Sequence, residues 1–134
     1  MLHLEIGYKA LLEAAEAEIE SVSPDEAAAL HGDENVQFVD LRDIRELQRE
    51  GKIPGALHAP RGMLEFWVDP ESPYYKNVFG SGKRFVFYCQ SGWRSALATQ
   101  TVQRMGLPNV CHLGGGFRAW MEAGHPSEVV ERRR

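Results

Sequence analysis

Apolar residues recur three and four positions apart at Leu4, Tyr8, Leu11, Leu12, Ala15 and Ile19, among alanines and glutamates. That spacing predicts an amphipathic helix with one apolar stripe. Ser23-Pro24-Asp25-Glu26 then marks a fresh helix start, with Ser23 as N-cap, Pro24 at the first helical position and Glu26 closing a capping box. Residues 20 to 23 therefore read as a joint. Beyond it the period switches repeatedly. Val36 to Leu41 reads as a strand, Ile44 to Glu50 as a helix closed by Gly51, and Ala56 to His58 as a short strand. Arg84 to Tyr88 is the most hydrophobic strand, Ser95 to Met105 a helix ended by Gly106, Asn109 to Leu113 a strand, and Phe117 to Ala123 a helix ended by Gly124. Strands that alternate with helices need crossover connections, so the expected fold class is α/β, a mainly parallel central sheet with helices on both faces. In such sheets ligands bind beyond the carboxyl ends of the strands. Asp40, Arg61 and Cys89 all fall on that edge.

Composition narrows the classes. A chain of 134 residues, 43% hydrophobic, suits one compact domain. The organisation expected is a helical extension over residues 1–22 followed by the domain at 23–134. A net charge of -4 gives no electrostatic reason to expect nucleic acid or an anionic membrane as partner. The basic end Arg132-Arg133-Arg134 reads as a solvated tail. No run approaches the about 18 apolar residues of a membrane span, and the first residues lack the order of a secretory signal. A cytoplasmic location is the expectation. Two cysteines, Cys89 and Cys111, make no disulfide framework, so reduced thiols are expected. His3, His31, His58, His112 and His125 show no ligand spacing with the cysteines; no metal and no cofactor are expected.

The chemistry concentrates in Tyr88-Cys89-Gln90-Ser91-Gly92-Trp93-Arg94-Ser95, which puts a cysteine where a strand hands over to a helix. A helix N-terminus presents unpaired N–H groups and a positive dipole end, both of which favour an anionic sulfur. Arg94, five positions on, adds a fixed cation. The plain alternative is a buried core thiol, and Cys111, which lacks these attachments, reads as one.

Four separated motifs carry a resemblance. Val39-Asp40-Leu41-Arg42 with Glu46, Gly51-Lys52-Ile53-Pro54-Gly55-Ala56, Cys89 to Ser95, and Val110 to Trp120 with Ala123-Gly124-His125-Pro126 together resemble the rhodanese-like family over roughly residues 23 to 126. The resemblance implies the three-layer rhodanese-like fold and a single-domain sulfurtransferase of the thiosulfate:cyanide type. Its loop cysteine takes a sulfane sulfur from thiosulfate or a related donor, becomes a persulfide, and passes the sulfur to a thiophilic acceptor. By the same resemblance Cys89 is the nucleophile, and the backbone N–H groups of Gln90, Ser91, Gly92, Trp93, Arg94 and Ser95 form an anion cradle. Arg94 either binds the donor's sulfonate or turns back to pair with Asp40 and brace the loop. Asp40 and Arg61 are supporting residues. The family usually has histidine where this chain has Lys52.

Related cell-cycle phosphatases and arsenate reductases place five residues between cysteine and arginine; this chain has four. The shorter ring suits attack on a bare sulfur atom better than on a bound phosphate, leaving phosphatase chemistry a lesser alternative. Another is a sulfur-carrier or protein-interaction module with little free thiosulfate turnover. The partners expected are a small sulfur donor, a thiol or cyanide-like acceptor and a protein thiol, with the chain a monomer or homodimer. Arg42 and Glu46, four apart, read as an ion pair outside the site. Gly114-Gly115-Gly116 reads as a tight strand-to-helix turn. In the aromatic segment from Arg61 to Lys76, Arg61 and Trp67 are candidates for substrate or partner contact, with the segment as a roof over the pocket.

Overall fold

The computed structural model describes residues 1–132, so Arg133 and Arg134 of the basic end lie outside the described residues. Five strands, β1 (Ser21–Val22), β2 (Val36–Asp40), β3 (Leu57–His58), β4 (Arg84–Tyr88) and β5 (Val110–Leu113), pair in parallel in the order β1-β5-β4-β2-β3. Helices α1 (Tyr8–Glu18), α2 (Pro24–Leu30), α3 (Ile44–Glu50), α4 (Leu64–Val68), α5 (Trp93–Arg104) and α6 (Gly116–Glu122) connect and cover them. Strict alternation along the central strands divides the core between the two faces. Val86 and Tyr88 of β4 join Phe38, Cys111, Phe117 and Trp120 on one side; Phe85 and Phe87 join Val39, Leu64, Ala98 and Val102 on the other. This is the three-layer α/β fold expected.

The capping box forms as anticipated: Ser23 Oγ accepts from Glu26 N–H, and Glu26 Oε1 accepts from Ser23 N–H. The joint before it differs. Ser21 and Val22 pair with His112 and Leu113, so the expected boundary after residue 22 falls behind an edge strand of the domain's own sheet. Two residues carry too little periodicity to announce a strand, and backbone pairing with β5 creates this one.

The apolar stripe of the first helix is divided. Ala15 is buried against α5 and Leu12 and Ile19 are half-buried, but Leu4, Tyr8 and Leu11 remain exposed. No helix among the described residues is long and apolar enough to cross a membrane.

Candidate active site

β4 lies between β5 and β2, and the chain leaves it at Tyr88 to form the loop that opens α5. Gly92 occupies the N-cap with φ 100°, a left-handed conformation that glycine adopts without strain. No side chain of its own caps the helix; the sulfur of Cys89 takes that place. Sγ accepts from Gly92 N–H at 3.2 Å and from Ser95 N–H at 3.4 Å, two of the donors that a helix start leaves unpaired. Ser95 Oγ stands 3.6 Å from the sulfur. Helix α5 begins two residues earlier than the sequence pattern suggests, so Trp93 and Arg94 belong to its first turn. Of the six expected cradle residues, Gly92 and Ser95 present N–H groups to the sulfur.

The loop is held from behind by the glycine run. Phe117 N–H donates to Cys89 O at 2.8 Å and Arg118 N–H to Gln90 O at 3.1 Å. A Cβ on Gly116 would come within 2.6 Å of Cys89 O and of the Gln90 carbonyl, so the first turn of α6 reaches the loop because residue 116 has no side chain. The turn read from Gly114 to Gly116 is thus also the loop's back wall.

Arg94 forms a bidentate pair with Glu46, Nη1 to Oε2 at 2.9 Å and Nη2 to Oε1 at 3.0 Å. Of the two roles left open for Arg94, the brace to Asp40 does not form; its brace is Glu46. Glu46 holds the guanidinium above its ordinary pKa, and Arg94 in return holds the Glu46 carboxyl below the usual carboxylate range. A charged Cys89 would raise the Arg94 pKa further.

Asp40 is fully buried and pairs with Arg42, whose Nη2 donates to Oδ2 at 2.7 Å and whose Nε donates to Oδ1 at 3.0 Å. The Arg42 guanidinium also donates to Gln90 Oε1 at 3.1 Å and Gly51 O at 2.7 Å, and stacks 4.3 Å from the Phe117 ring centroid. Arg42 and Glu46 therefore do not pair with each other, contrary to the sequence reading. Asp43 is the N-cap of α3, so Arg42 lies before the helix, where helical i,i+4 geometry does not apply. Both residues, left out of the site on sequence grounds, hold the cysteine loop: Arg42 through the Gln90 side chain, Glu46 through Arg94. Gln90 Nε2 donates on to Glu50 at 3.1 Å.

Arg61 N–H donates to Leu41 O at 3.1 Å, which sets it at the same sheet edge, but its guanidinium is paired with Glu65 at 2.7 Å. The later part of the segment lies at the opposite end of α5 from the cysteine loop. Leu64 and Val68 enter the core, Lys76 Nζ lies 4.8 Å from the Trp67 ring centroid, and Val68 to Gly80 line a cleft with Met105 to Pro108 at the far end of α5. From Val68 on, the segment is therefore no roof over Cys89. Trp93 is 56% exposed, and its ring meets that of Tyr8 from α1 at 5.1 Å.

Cys111 is free, buried and paired in register with Val86, while Cys89 lies past the end of β4. Burial pushes the Cys111 thiol up, as befits a core residue. Lys52, in the place of the family's usual histidine, donates to Ala56 O at 2.8 Å and pairs with Glu128, preserving the turn. Among the described residues no group of three or more potential metal ligands is present.

A strand-end cysteine at a helix start, over a parallel sheet, defines an α/β protein with a cysteine-bearing loop at the carboxyl edge of its sheet. The model of the rhodanese-like domain matches residues 23–123, and the chain belongs to that family. It is 31% identical over 108 residues to human thiosulfate:glutathione sulfurtransferase, covering 76% of this chain and 93% of that one; it spans 43 to 64% of other, longer relatives. A solved structure from Rhodopseudomonas palustris, a protein of unknown function described as a possible tyrosine phosphatase, shares 52% identity with a TM-score of 0.93 over 96% of this chain and 98% of its own. The polysulfide-sulfur transferase homodimer from Wolinella succinogenes is 31% identical, with a TM-score of 0.68 over 93% of this chain and 88% of its own.

Proposed function

We propose that this protein is a sulfurtransferase that carries a sulfane sulfur as a persulfide on Cys89. The observation behind the reading is the sulfur itself, which caps α5 with the N–H groups of Gly92 and Ser95 at 3.2 and 3.4 Å. Donors already aimed at the sulfur stabilise the anion that attacks and later leaves. The Cys89 sulfur attacks the outer sulfur of thiosulfate or a related donor; the donor's sulfur–sulfur bond breaks, and sulfite, or from a persulfide donor its thiolate, departs with the electron pair. The resulting persulfide is anionic at its outer atom. A cyanide ion or a thiolate then attacks that atom, and Cys89 leaves as thiolate into the same donors.

Arg94, 42% exposed in the first turn of α5, is the group suited to the donor's sulfonate, and Glu46 fixes its orientation. Arg42 and Asp40 keep the loop in shape from the interior.

One observation favours a protein thiol as acceptor. Tyr8 and Trp93 form an exposed aromatic pair next to the cysteine loop, and Leu11, one turn along α1 from Tyr8, is exposed as well. Such a rim suits a partner chain better than a small anion.

Mass spectrometry of the intact protein after exposure in parallel to thiosulfate, a persulfide of glutathione, phosphate and arsenate tests the reading. The expected result is a gain of one sulfur on Cys89 with the first two and no adduct with the oxyanions. Cys89→Ser is expected to lose both the labelling and thiocyanate formation from cyanide. Full activity in that variant would refute the mechanism, and turnover of a phosphate ester by the parent would favour phosphatase chemistry instead.

A further inference from the structure

Behind the cysteine loop a line of polar groups runs from the sealed sulfur to the surface. Cys89 Sγ lies 3.6 Å from Ser95 Oγ, which lies 3.0 Å from His112 Nδ1. The other ring nitrogen, Nε2, meets Ser21 Oγ at 2.9 Å and Glu16 Oε1 at 3.2 Å. Ser21 Oγ donates in turn to Glu16 Oε2 at 2.8 Å. Cys89, Ser95 and His112 are at most 1% exposed, whereas the Glu16 side chain is 47% exposed. The line draws on the β4–α5 loop, α5, β5, β1 and α1.

The donor and acceptor inventory orients it. An ionised carboxylate only accepts, so the ring nitrogen facing Glu16 carries the hydrogen and Nδ1 is left as an acceptor. The Ser95 hydroxyl can then donate to Nδ1 while its oxygen faces the thiol.

We infer that His112, held by Glu16, takes the proton of the Cys89 thiol through the Ser95 hydroxyl and so generates the nucleophilic sulfur in place. The inference rests on the reading of Cys89 as nucleophile. The S–H bond breaks as an O–H bond forms on Ser95. The original Ser95 O–H breaks as an N–H forms at Nδ1, and the electron pair stays on sulfur. Nothing is oxidised or reduced. The imidazolium that results lies between the Ser95 oxygen and the Glu16 carboxylate, and the thiolate faces the N–H groups of Gly92 and Ser95. Ser95 touches the reacting atom; His112 and Glu16 act through it.

Few charges compete. From α1, Glu16 faces the ring; α5 presents Ser95, β1 presents Ser21, and Gly92 passes over the ring, where its Cβ would lie 3.8 Å from His112 Cε1. Arg94, in the first turn of α5, is tied to Glu46, and Glu20, next to β1, is tied to Arg84. Burial pushes the imidazole below its ordinary pKa and Glu16 offsets this only in part, so the ring is neutral near neutral pH. A histidine that merely satisfies the core would make the same contacts without linking its protonation to the sulfur.

The test is the pH dependence of Cys89 alkylation by iodoacetamide, followed peptide by peptide so that Cys111 is scored separately. His112→Asn keeps a polar group near the Nδ1 position but cannot hold the proton. It is expected to slow alkylation about tenfold at the acidic end, the effect of losing one charge-assisted hydrogen bond, and to move the profile's midpoint to higher pH with the alkaline plateau unchanged. Glu16→Gln should move the midpoint the same way by less, and should add nothing in the His112→Asn background. Midpoints equal to the parent's in both variants, including a uniform fall in rate at every pH, would overturn the inference. Should His112→Asn fail to fold, Glu16→Gln at its half-exposed position decides alone. Alkylation needs no sulfur donor, so a parent protein that gains no sulfur from thiosulfate would count against the sulfurtransferase reading and leave this result standing.

Discussion

Replacing Asp40 by asparagine takes the charge from the carboxylate that faces a fully buried guanidinium. Asp40 and Arg42 are both 0% exposed. Asp40 Oδ1 accepts from the Arg42 backbone N–H and from Nε, each at 3.0 Å, and Oδ2 accepts from Nη2 at 2.7 Å. Asparagine can keep an oxygen in the first position, but its amide then turns an N–H toward Nη2, donor against donor, and leaves a cation buried without its counter-charge. Gln90 and the Gly51 carbonyl still accept from the guanidinium but carry no net charge to offset it. Breaking a buried pair from one side costs about 3 to 5 kcal/mol, a large share of the roughly 5 to 15 kcal/mol that stabilises a domain of this kind. The melting temperature should fall by about 10 to 20 °C. Urea unfolding followed by circular dichroism, with the m-value unchanged, measures the loss directly. Asp40→Asn combined with Arg42→Met should recover part of the stability, because the stranded charge is gone. A loss below about 1 kcal/mol for the single variant, or a double variant less stable than Asp40→Asn, would refute the reasoning.

Three further outcomes follow from the same geometry. Gly116→Ala should destabilise the protein by about 1 to 3 kcal/mol, since residue 116 has a φ of 64° and a Cβ would press on the Cys89 carbonyl at 2.6 Å; a thermal melt near that of the parent would show that α6 can retreat from the loop. Arg94→Ala should cost less than about 1 kcal/mol, because the pair with Glu46 is partly exposed, yet should raise the KM for thiosulfate; an unchanged KM would restrict Arg94 to bracing. His112 has its pKa lowered in the fold from the ordinary 6.5, chiefly by burial. The unfolded chain therefore binds this proton first as the pH falls, and the contribution to stability, present above about 6.5, is lost on acidification below it. His112→Asn should flatten the difference in urea midpoint between pH 7.5 and 5.5, a range of about two units around that value; an equal fall in both proteins would contradict the burial argument.

The cysteine loop was legible in the chain because its chemistry is local. Strand, cysteine, glycine, arginine and helix start follow within a few residues, and their placement depends on spacing alone. Asp40, Arg42, Glu46 and Arg94 were each visible as charged residues near strand ends, but their pairing was not. It depends on where α3 begins: with Asp43 as N-cap, Arg42 turns into the interior toward Asp40, and Glu46 is left for Arg94. His112 gave no local signal, since a histidine inside an apolar strand looks the same whether it satisfies the core or reaches a thiol. The short strand at Ser21 and Val22 is likewise invisible until β5 is beside it.

By itself the sequence determined the alternation of elements, the parallel sheet that this alternation requires, and the placing of Cys89 at the junction of a strand and a helix, because hydrophobic period and turn chemistry act over neighbouring residues. Tertiary structure alone decided which cation meets which carboxylate, that the chain from Val68 to Gly80 packs at the far end of α5, and that Glu16, Ser21, Ser95 and His112 line up behind the sulfur. Those contacts join residues far apart in the chain, and their geometry exists only once the layers have packed.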